Sequence, residues 1–389
     1  MAMSSKRFNK QKTVWLPWIG RRLLILILVL LSLVFAGLFL FLKFRDATPT
    51  SAGNEIALIK QTKDVKQQSK YYRALIERVG PEQAQVDLYN SGLPFTGETH
   101  LINHTVGDYL YEKYGVEGIT QCRNYFLESC YHGLLLHVIG GDADTDFEDV
   151  QNAVDHCFKA GNSVITQCAH GIGHGYVAAV GYANLDGALE QCSKIAARLP
   201  SFPVYNCHDG VFMENIWAVH GGEPSPDRWV KETDDVYPCN DARLKSEHLN
   251  PCWSNQPSLL YQRYGDFKKI GEICLTVTPE DAQQICFDGL SRQIHPLTRN
   301  QPDEVFKLCN KLPTNWRNAC YLTNVIAAFS VGDRSMPFEV CARLQNAHKT
   351  ECYQNLGVMI DVYAENPAQK KRFCNKITTE YSQYQGSCQ

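Results

Sequence analysis

Cys157-Phe-Lys-Ala-Gly-Asn-Ser-Val-Ile-Thr-Gln-Cys168-Ala-His-Gly-Ile-Gly-His-Gly-Tyr-Val-Ala-Ala-Val-Gly181 holds two cysteines 11 positions apart, then an apolar segment that ends on glycine. The same grammar recurs. Cys130 opens Tyr-His-Gly-Leu-Leu-Leu-His-Val-Ile-Gly140, and Cys207, Cys286, Cys320 and Cys352 open comparable segments. The 16 cysteines fall into pairs with internal gaps of 8, 11, 15, 13, 12, 11, 11 and 14 positions. First members of successive pairs recur every 35, 35, 47, 35, 35, 32 and 33 residues. A period in that range marks stacked helical hairpins, each too small to bury its apolar face alone.

Glycines such as Gly181, Gly265 and Gly332 follow the apolar segments, and acidic or proline-bearing starts follow those, as at Asp266 and Gln301-Pro302. These are helix stop and start signals. Each unit therefore reads as a helix ending near the first cysteine, a connection, and a second helix opening at the second cysteine. The repeat selects neighbour pairing, because every unit then closes in the same way. The expected bridges are Cys122–Cys130, Cys157–Cys168, Cys192–Cys207, Cys239–Cys252, Cys274–Cys286, Cys309–Cys320, Cys341–Cys352 and Cys374–Cys388. No C-x-x-C occurs, so thiolate zinc modules lack their spacing. An even set of cysteines then implies an oxidising compartment. The gap from Cys207 to Cys239 is the irregular one, with a loop-like insertion from His220 to Arg228.

Upstream, Leu23 to Leu42 carries no charge and is long enough for a membrane-spanning helix, with Arg21 and Arg22 before it and Lys43 and Arg45 after. The expectation is an uncleaved signal anchor with a cytoplasmic N-terminus and an outer portion in a periplasm, a secretory lumen or at a cell surface. The chain then divides into a cytoplasmic tail (1–22), the span (23–42), a linker (43–54), membrane-proximal helices (55–115) and about eight cysteine-paired repeats (116–389). Residues 55–79 read as one charged helix. The fold class expected is all-α, a single transmembrane helix followed by a disulfide-stapled α/α-hairpin solenoid. In architecture the cysteine-paired region resembles the Sel1-like and tetratricopeptide-like helical repeat proteins, and that resemblance implies a binding scaffold.

Eight of the 12 histidines lie between residues 100 and 208. His100/His104 and His170/His174 have i,i+4 spacing, which puts both rings of a pair on one helix face. His132 and His170 share a repeat position, two residues after the second cysteine. His100, His104, His132, His170, His174 and His208 are the candidate ligands of a transition metal (zinc, iron or copper), with His137, Asp209 and Glu214 as further candidates. Gly133, Gly171, Gly173 and Gly175 would let backbones or a ligand approach closely. The competing reading is structural, with imidazoles bonded to backbone carbonyls and glycines serving hairpin packing. Asn103-His104-Thr105 matches a glycosylation sequon.

No Walker loop, dinucleotide fingerprint, G-x-S-x-G or H-E-x-x-H is present. A formal net charge of -3 gives no basic surplus for nucleic acid. The function expected is a membrane-anchored binding or assembly scaffold with a histidine-rich, metal-binding site, its partners the membrane and proteins on the solenoid surface. The alternatives are a metal-dependent hydrolase or oxygenase using the histidines, and a purely structural subunit of a membrane complex.

Overall fold

The computed structural model describes residues 53–93, 97–123, 125–126, 128–139, 147–160, 162–217, 225–298, 301–330, 335–364 and 367–380. The chain divides into two compact units, 1–54 and 55–389. The second unit is described below.

All its regular elements are helical among the described residues. They are α1 (Gly53–Gln61), α2 (Val65–Val79), α3 (Pro81–Tyr89), α4 (Gly97–Tyr114), a 3-10 turn (Gly115–Gln121), α5 (Ser129–Ile139), α6 (Phe147–Ala160), α7 (Asn162–Val180) and α8 (Leu185–Arg198). There follow α9 (Val204–Trp217), α10 (Ser246–Tyr264), α11 (Phe267–Cys274), α12 (Glu280–Arg292), α13 (His295–Thr298) and α14 (Pro302–Cys309). The last are α15 (Arg317–Ser330), α16 (Met336–Arg343), α17 (Asn346–Tyr363) and α18 (Pro367–Glu380).

Two layers result. In the first, α2, α4, α5, α7, α9, α10, α12, α15 and α17 pack each on the next. In the second, α6, α8, α11, α14 and α16 each back onto a first-layer helix. Burial separates the layers physically. α6 buries Val150, Ala153, Val154 and Cys157, and α8 buries Leu185, Ala188, Leu189, Cys192 and Ile195. Those are the i, i+3, i+4, i+7 positions of a one-sided helix. α5, by contrast, is buried from Ser129 to Leu135 without a break. Central first-layer helices such as α5 are therefore buried on all sides, while the second-layer helices are amphipathic.

Among the described residues five disulfides tie the layers, Cys157–Cys168, Cys192–Cys207, Cys274–Cys286, Cys309–Cys320 and Cys341–Cys352, while Cys122–Cys130 and Cys239–Cys252 fasten non-helical chain to α5 and α10. Cys374 is also disulfide-bonded, while Cys388 of the expected eighth bridge lies outside the described residues. Closing a loop of about 10–15 residues contributes on the order of 3 kcal/mol by restricting the unfolded chain.

Three expectations are corrected. No helix among the described residues is long and apolar enough to cross a membrane. The fold class and location are thus corrected from a single-pass membrane protein to an all-helical, disulfide-rich chain. The span placed at 23–42 lies outside the described residues. Second, the helix read over 55–79 is two helices, because Asp64 caps α2 by accepting from the Gln67 amide at 3.1 Å. Third, the second cysteine seldom opens its helix. α7, α10, α12 and α17 each begin six residues before it, and the first turns of α10, α12 and α17 are mainly polar, with no apolar periodicity.

The irregular gap has no second-layer helix between α9 and α10 among the described residues. Residues 225–245 form turns sewn to their neighbours instead. Asn215 on α9 receives the Trp229 amide at 2.7 Å and donates to the Trp229 carbonyl at 3.0 Å, and the buried indole donates to the Ala183 carbonyl at 3.0 Å. Asp235 accepts from Arg263 at 2.7 Å and from the Tyr264 hydroxyl at 2.6 Å.

Candidate metal centre

Helices α4, α5, α7 and α9 approach more closely than ordinary side chains allow. A Cβ built on Gly133 would lie 3.0 Å from the His104 carbonyl carbon, and one on Gly107 2.5 Å from the Leu134 amide nitrogen. At the α7–α9 seam a Cβ on Gly173 would lie 2.9 Å from the Val211 amide nitrogen, and one on Gly210 2.9 Å from the His170 carbonyl carbon. Carbon atoms in contact normally sit about 3.5–4.0 Å apart. Hydrogen is the only side chain these seams admit, and each seam carries its glycines reciprocally.

The close seams bring five histidines together. His100 and His104 come from α4, His132 from α5, and His170 and His174 from α7. Ring centroids lie 5.1 Å apart for His100–His132, 5.9 Å for His104–His132, 5.0 Å for His132–His170 and 5.3 Å for His132–His174. Two triads could each hold a metal ion, His100/His104/His132 and His132/His170/His174. Within each, one ring nitrogen per residue lies within 4.8 Å of the others. Tetrahedral zinc with Zn–N of 2.0–2.1 Å needs nitrogens roughly 3.4 Å apart, so either set would draw in on binding an ion.

Three of the rings are anchored at Nδ1. His100 Nδ1 lies 2.7 Å from the Phe126 carbonyl oxygen, His170 Nδ1 3.2 Å from Asp209 Oδ2, and His174 Nδ1 2.8 Å from Glu214 Oε2. A carbonyl or carboxylate oxygen only accepts, so each Nδ1 carries the proton and Nε2 keeps its lone pair. His132 Nδ1 lies 3.3 Å from His100 Nε2. Since that Nε2 is an acceptor, His132 donates through Nδ1 and its own Nε2 is the lone-pair nitrogen. This Nε2 is buried and makes no hydrogen bond among the described residues. A buried polar atom left over in this way is the exception in folded proteins. Burial first, and then the imidazoles of His170, His100, His174 and His104, hold the His132 pKa well below the usual histidine range. The ring is therefore neutral, the form that binds metal.

The carboxylates are positioned in turn. Asp209 Oδ1 accepts from Asn255 Nδ2 on α10 at 2.7 Å. Burial pushes its carboxyl up, but hydrogen bonding to His170 and the positive charge of Arg292 lower it, and the carboxyl is held at about 2. Glu214 is fully buried and also accepts from the Tyr182 hydroxyl. Burial, then Glu214, pushes the Tyr182 pKa up, so the hydroxyl stays protonated and donates. The backbone presenting the Phe126 carbonyl is unusual: Phe126 and Glu128 have φ of 52° and 56°. Left-handed conformations in such residues are costly and cluster at functional sites.

The other residues proposed from sequence stand outside the two triads. His208 stands one residue before the repeat position of His170, so it is rotated about 100° round its helix. Its Nε2 meets the Leu189 carbonyl at 3.2 Å, its ring packs edge-on to His248, and burial, then His248, pushes its pKa down to about 4. His137 pairs with Asp108 at 3.0 Å and stacks on Tyr111, half-exposed. Asp209 and Glu214 hold histidines by Nδ1. Asn103 of the sequon is fully buried, accepting from the Tyr72 hydroxyl and donating to Ser129 Oγ, both at 2.9 Å. It offers a glycosyltransferase no access. Sequence reasoning missed the Phe126 carbonyl, Asn255 and Tyr182. A backbone carbonyl leaves no signal in a sequence, and the other two stand outside any histidine spacing.

Fold and site together define an all-helical, disulfide-stapled protein with buried histidine clusters that could hold a metal ion. No protein-family profile, curated protein or solved structure matches the chain.

Proposed function

We propose that this is a metal-binding helical-repeat protein in which His132, His170 and His174 hold one divalent transition metal through Nε2. The observation that carries the reading is the tautomer pattern: a carboxylate behind each of His170 and His174, and a buried Nε2 on His132 with no protein hydrogen bond among the described residues. Carboxylate–histidine–metal arrangements fix ring orientation and raise ligand basicity. Imidazole donors suit zinc, copper and iron. Each repeat is already closed by its own disulfide, so the array does not require a structural metal.

Three protein ligands leave a coordination position open, as in catalytic rather than structural zinc sites. That favours a second reading, a metal-dependent hydrolase, in which the metal lowers the pKa of bound water. Metal titration followed by calorimetry tests the first reading. Zinc or copper is expected to bind the purified oxidised protein, and His170→Ala with His174→Ala to abolish that site while the far-ultraviolet circular dichroism stays helical. Unchanged binding in that folded double variant would sink the assignment. Ester hydrolysis dependent on metal and lost in the same variant tests the second reading.

A further inference from the structure

The five histidines do not form one set around one ion. His100/His104 and His170/His174 each combine with His132, and among the described residues no group takes in both pairs. One ion on the His170 side thus leaves His100 and His104 unused, although both come within ring contact of His132. His100 is also prepared as a ligand, because Phe126 holds its Nδ1 and its Nε2 keeps a lone pair. The atom that Nε2 faces, 3.3 Å away, is His132 Nδ1, a separation that already suits two ligands of one tetrahedral ion.

We propose that the centre takes a second metal, held by His100, His104 and His132 Nδ1, so that His132 bridges two ions as an imidazolate. This inference rests on the reading that His132, His170 and His174 bind the first. Coordination balances as follows. The second cation takes the place of the Nδ1–H proton that His132 donates to His100, that proton leaves to solvent, and the ring carries one negative charge between the metals. With metal–nitrogen bonds of 2.0–2.1 Å on each side of the ring, the ions stand about 6 Å apart. Asp209 and Glu214 add negative charge behind the first ion. The ligand class is a pair of imidazole-preferring divalent ions, zinc or copper.

Metal titration of the intact oxidised protein with zinc, and separately with copper(II), tests this. Wild type is expected to bind two equivalents, His104→Ala one and His170→Ala one, each variant checked for wild-type helicity. Two bound copper(II) ions should show magnetic coupling by electron paramagnetic resonance, a signal that a variant lacking one site loses. One equivalent in wild type would overturn the second site and leave the first intact, and none would overturn both. Two equivalents retained in His104→Ala would also refute the inference, as would two uncoupled copper ions. Should His104→Ala fail to fold, the wild-type stoichiometry and copper coupling decide alone.

Discussion

Replacing Gly210 by alanine tests whether helix proximity builds the metal centre. The added Cβ would meet the His170 carbonyl carbon at 2.9 Å, and ordinary carbon contact is 3.5–4.0 Å. The carbonyl oxygen lies closer still, so helices α7 and α9 must part locally by at least about 0.6–1.1 Å. Backbone meets backbone at this seam, so no side-chain rotamer can relieve the clash. Overpacking of this kind costs about 1–3 kcal/mol. The displacement also acts on the neighbouring pair, because Asp209 precedes Gly210 and its 3.2 Å contact to His170 spans the seam being widened. Losing the residue behind a ligand typically costs 10–100-fold in metal affinity. The control is Gly271→Ala on α11, where the nearest atom to an added Cβ is Pro313 Cδ at 3.4 Å, an ordinary contact. There alanine should stabilise by about 0.5–1 kcal/mol through helix propensity. Urea denaturation of metal-free protein, followed by zinc competition against a chromophoric chelator, reads both effects. If Gly210→Ala stays within about 0.5 kcal/mol of wild type with unchanged zinc affinity, the seam is not in backbone contact and the reasoning fails.

Further outcomes follow from the same geometry. Asp209→Asn and Glu214→Gln should each weaken zinc binding by about 10–100-fold while leaving the fold in place; unaltered affinity in both would remove the carboxylates from the site. Removing the Cys157–Cys168 bridge by paired alanine substitution should cost about 3 kcal/mol, from the closed loop of 11 residues. A loss under about 1 kcal/mol, measured by urea melting against the oxidised parent, would mean the unfolded chain is not restricted by that loop. Glu128 is buried and desolvation pushes its carboxyl up to about 7 from 4.5. The folded state thus holds the Glu128 proton between those values, so the contribution of this group to stability is fully present below about pH 4.5 and is lost as pH rises through 7, by roughly 3 kcal/mol in all. Glu128→Gln should flatten that slope, and a stability profile identical to wild type between pH 5 and 8 would contradict the assignment.

The sequence carried the ladder and the cluster in different measure. The paired cysteines and the i,i+4 histidines lie on fixed periods, so helix geometry alone brought them into view. Helix starts were obscured where the first turn is polar, as in α12 from Glu280, because an exposed turn has no apolar rhythm. His208 was put with the ligands because it is adjacent in sequence, yet one residue on a helix is a turn of about 100°, and it faces Leu189 and His248. The roles of Asp209 and Glu214 depend on which imidazole nitrogen they touch, and no spacing encodes that. Trp229, just past the loop-like insertion read over 220–228, carries no periodic signal, and its place is set by hydrogen bonds to Asn215 and Ala183 made across the fold.

One sequence rule joins the cysteine ladder to the histidine cluster. In the units of Cys130, Cys168, Cys207 and Cys286 the residue two places after the second cysteine is His132, His170, Asp209 or Asp288, and glycine follows it at 133, 171, 210 and 289. The cysteine ties the helix to the chain before it, the glycine lets helices close, and the polar residue between them stands where the gap is narrowest. That is why His132 stacks on His170 at 5.0 Å and His170 in turn meets Asp209 at 3.2 Å. The line continues through Asn255, which donates to Asp209, and Arg292, which donates to Ser254. A histidine at this position can supply a ligand, while an aspartate there can orient the histidine of the preceding unit. Ligand and orienter thus differ by one side chain at equivalent rungs. The histidine cluster that could hold a metal forms where histidine-bearing rungs are consecutive, and Asp209 on the next rung ends it.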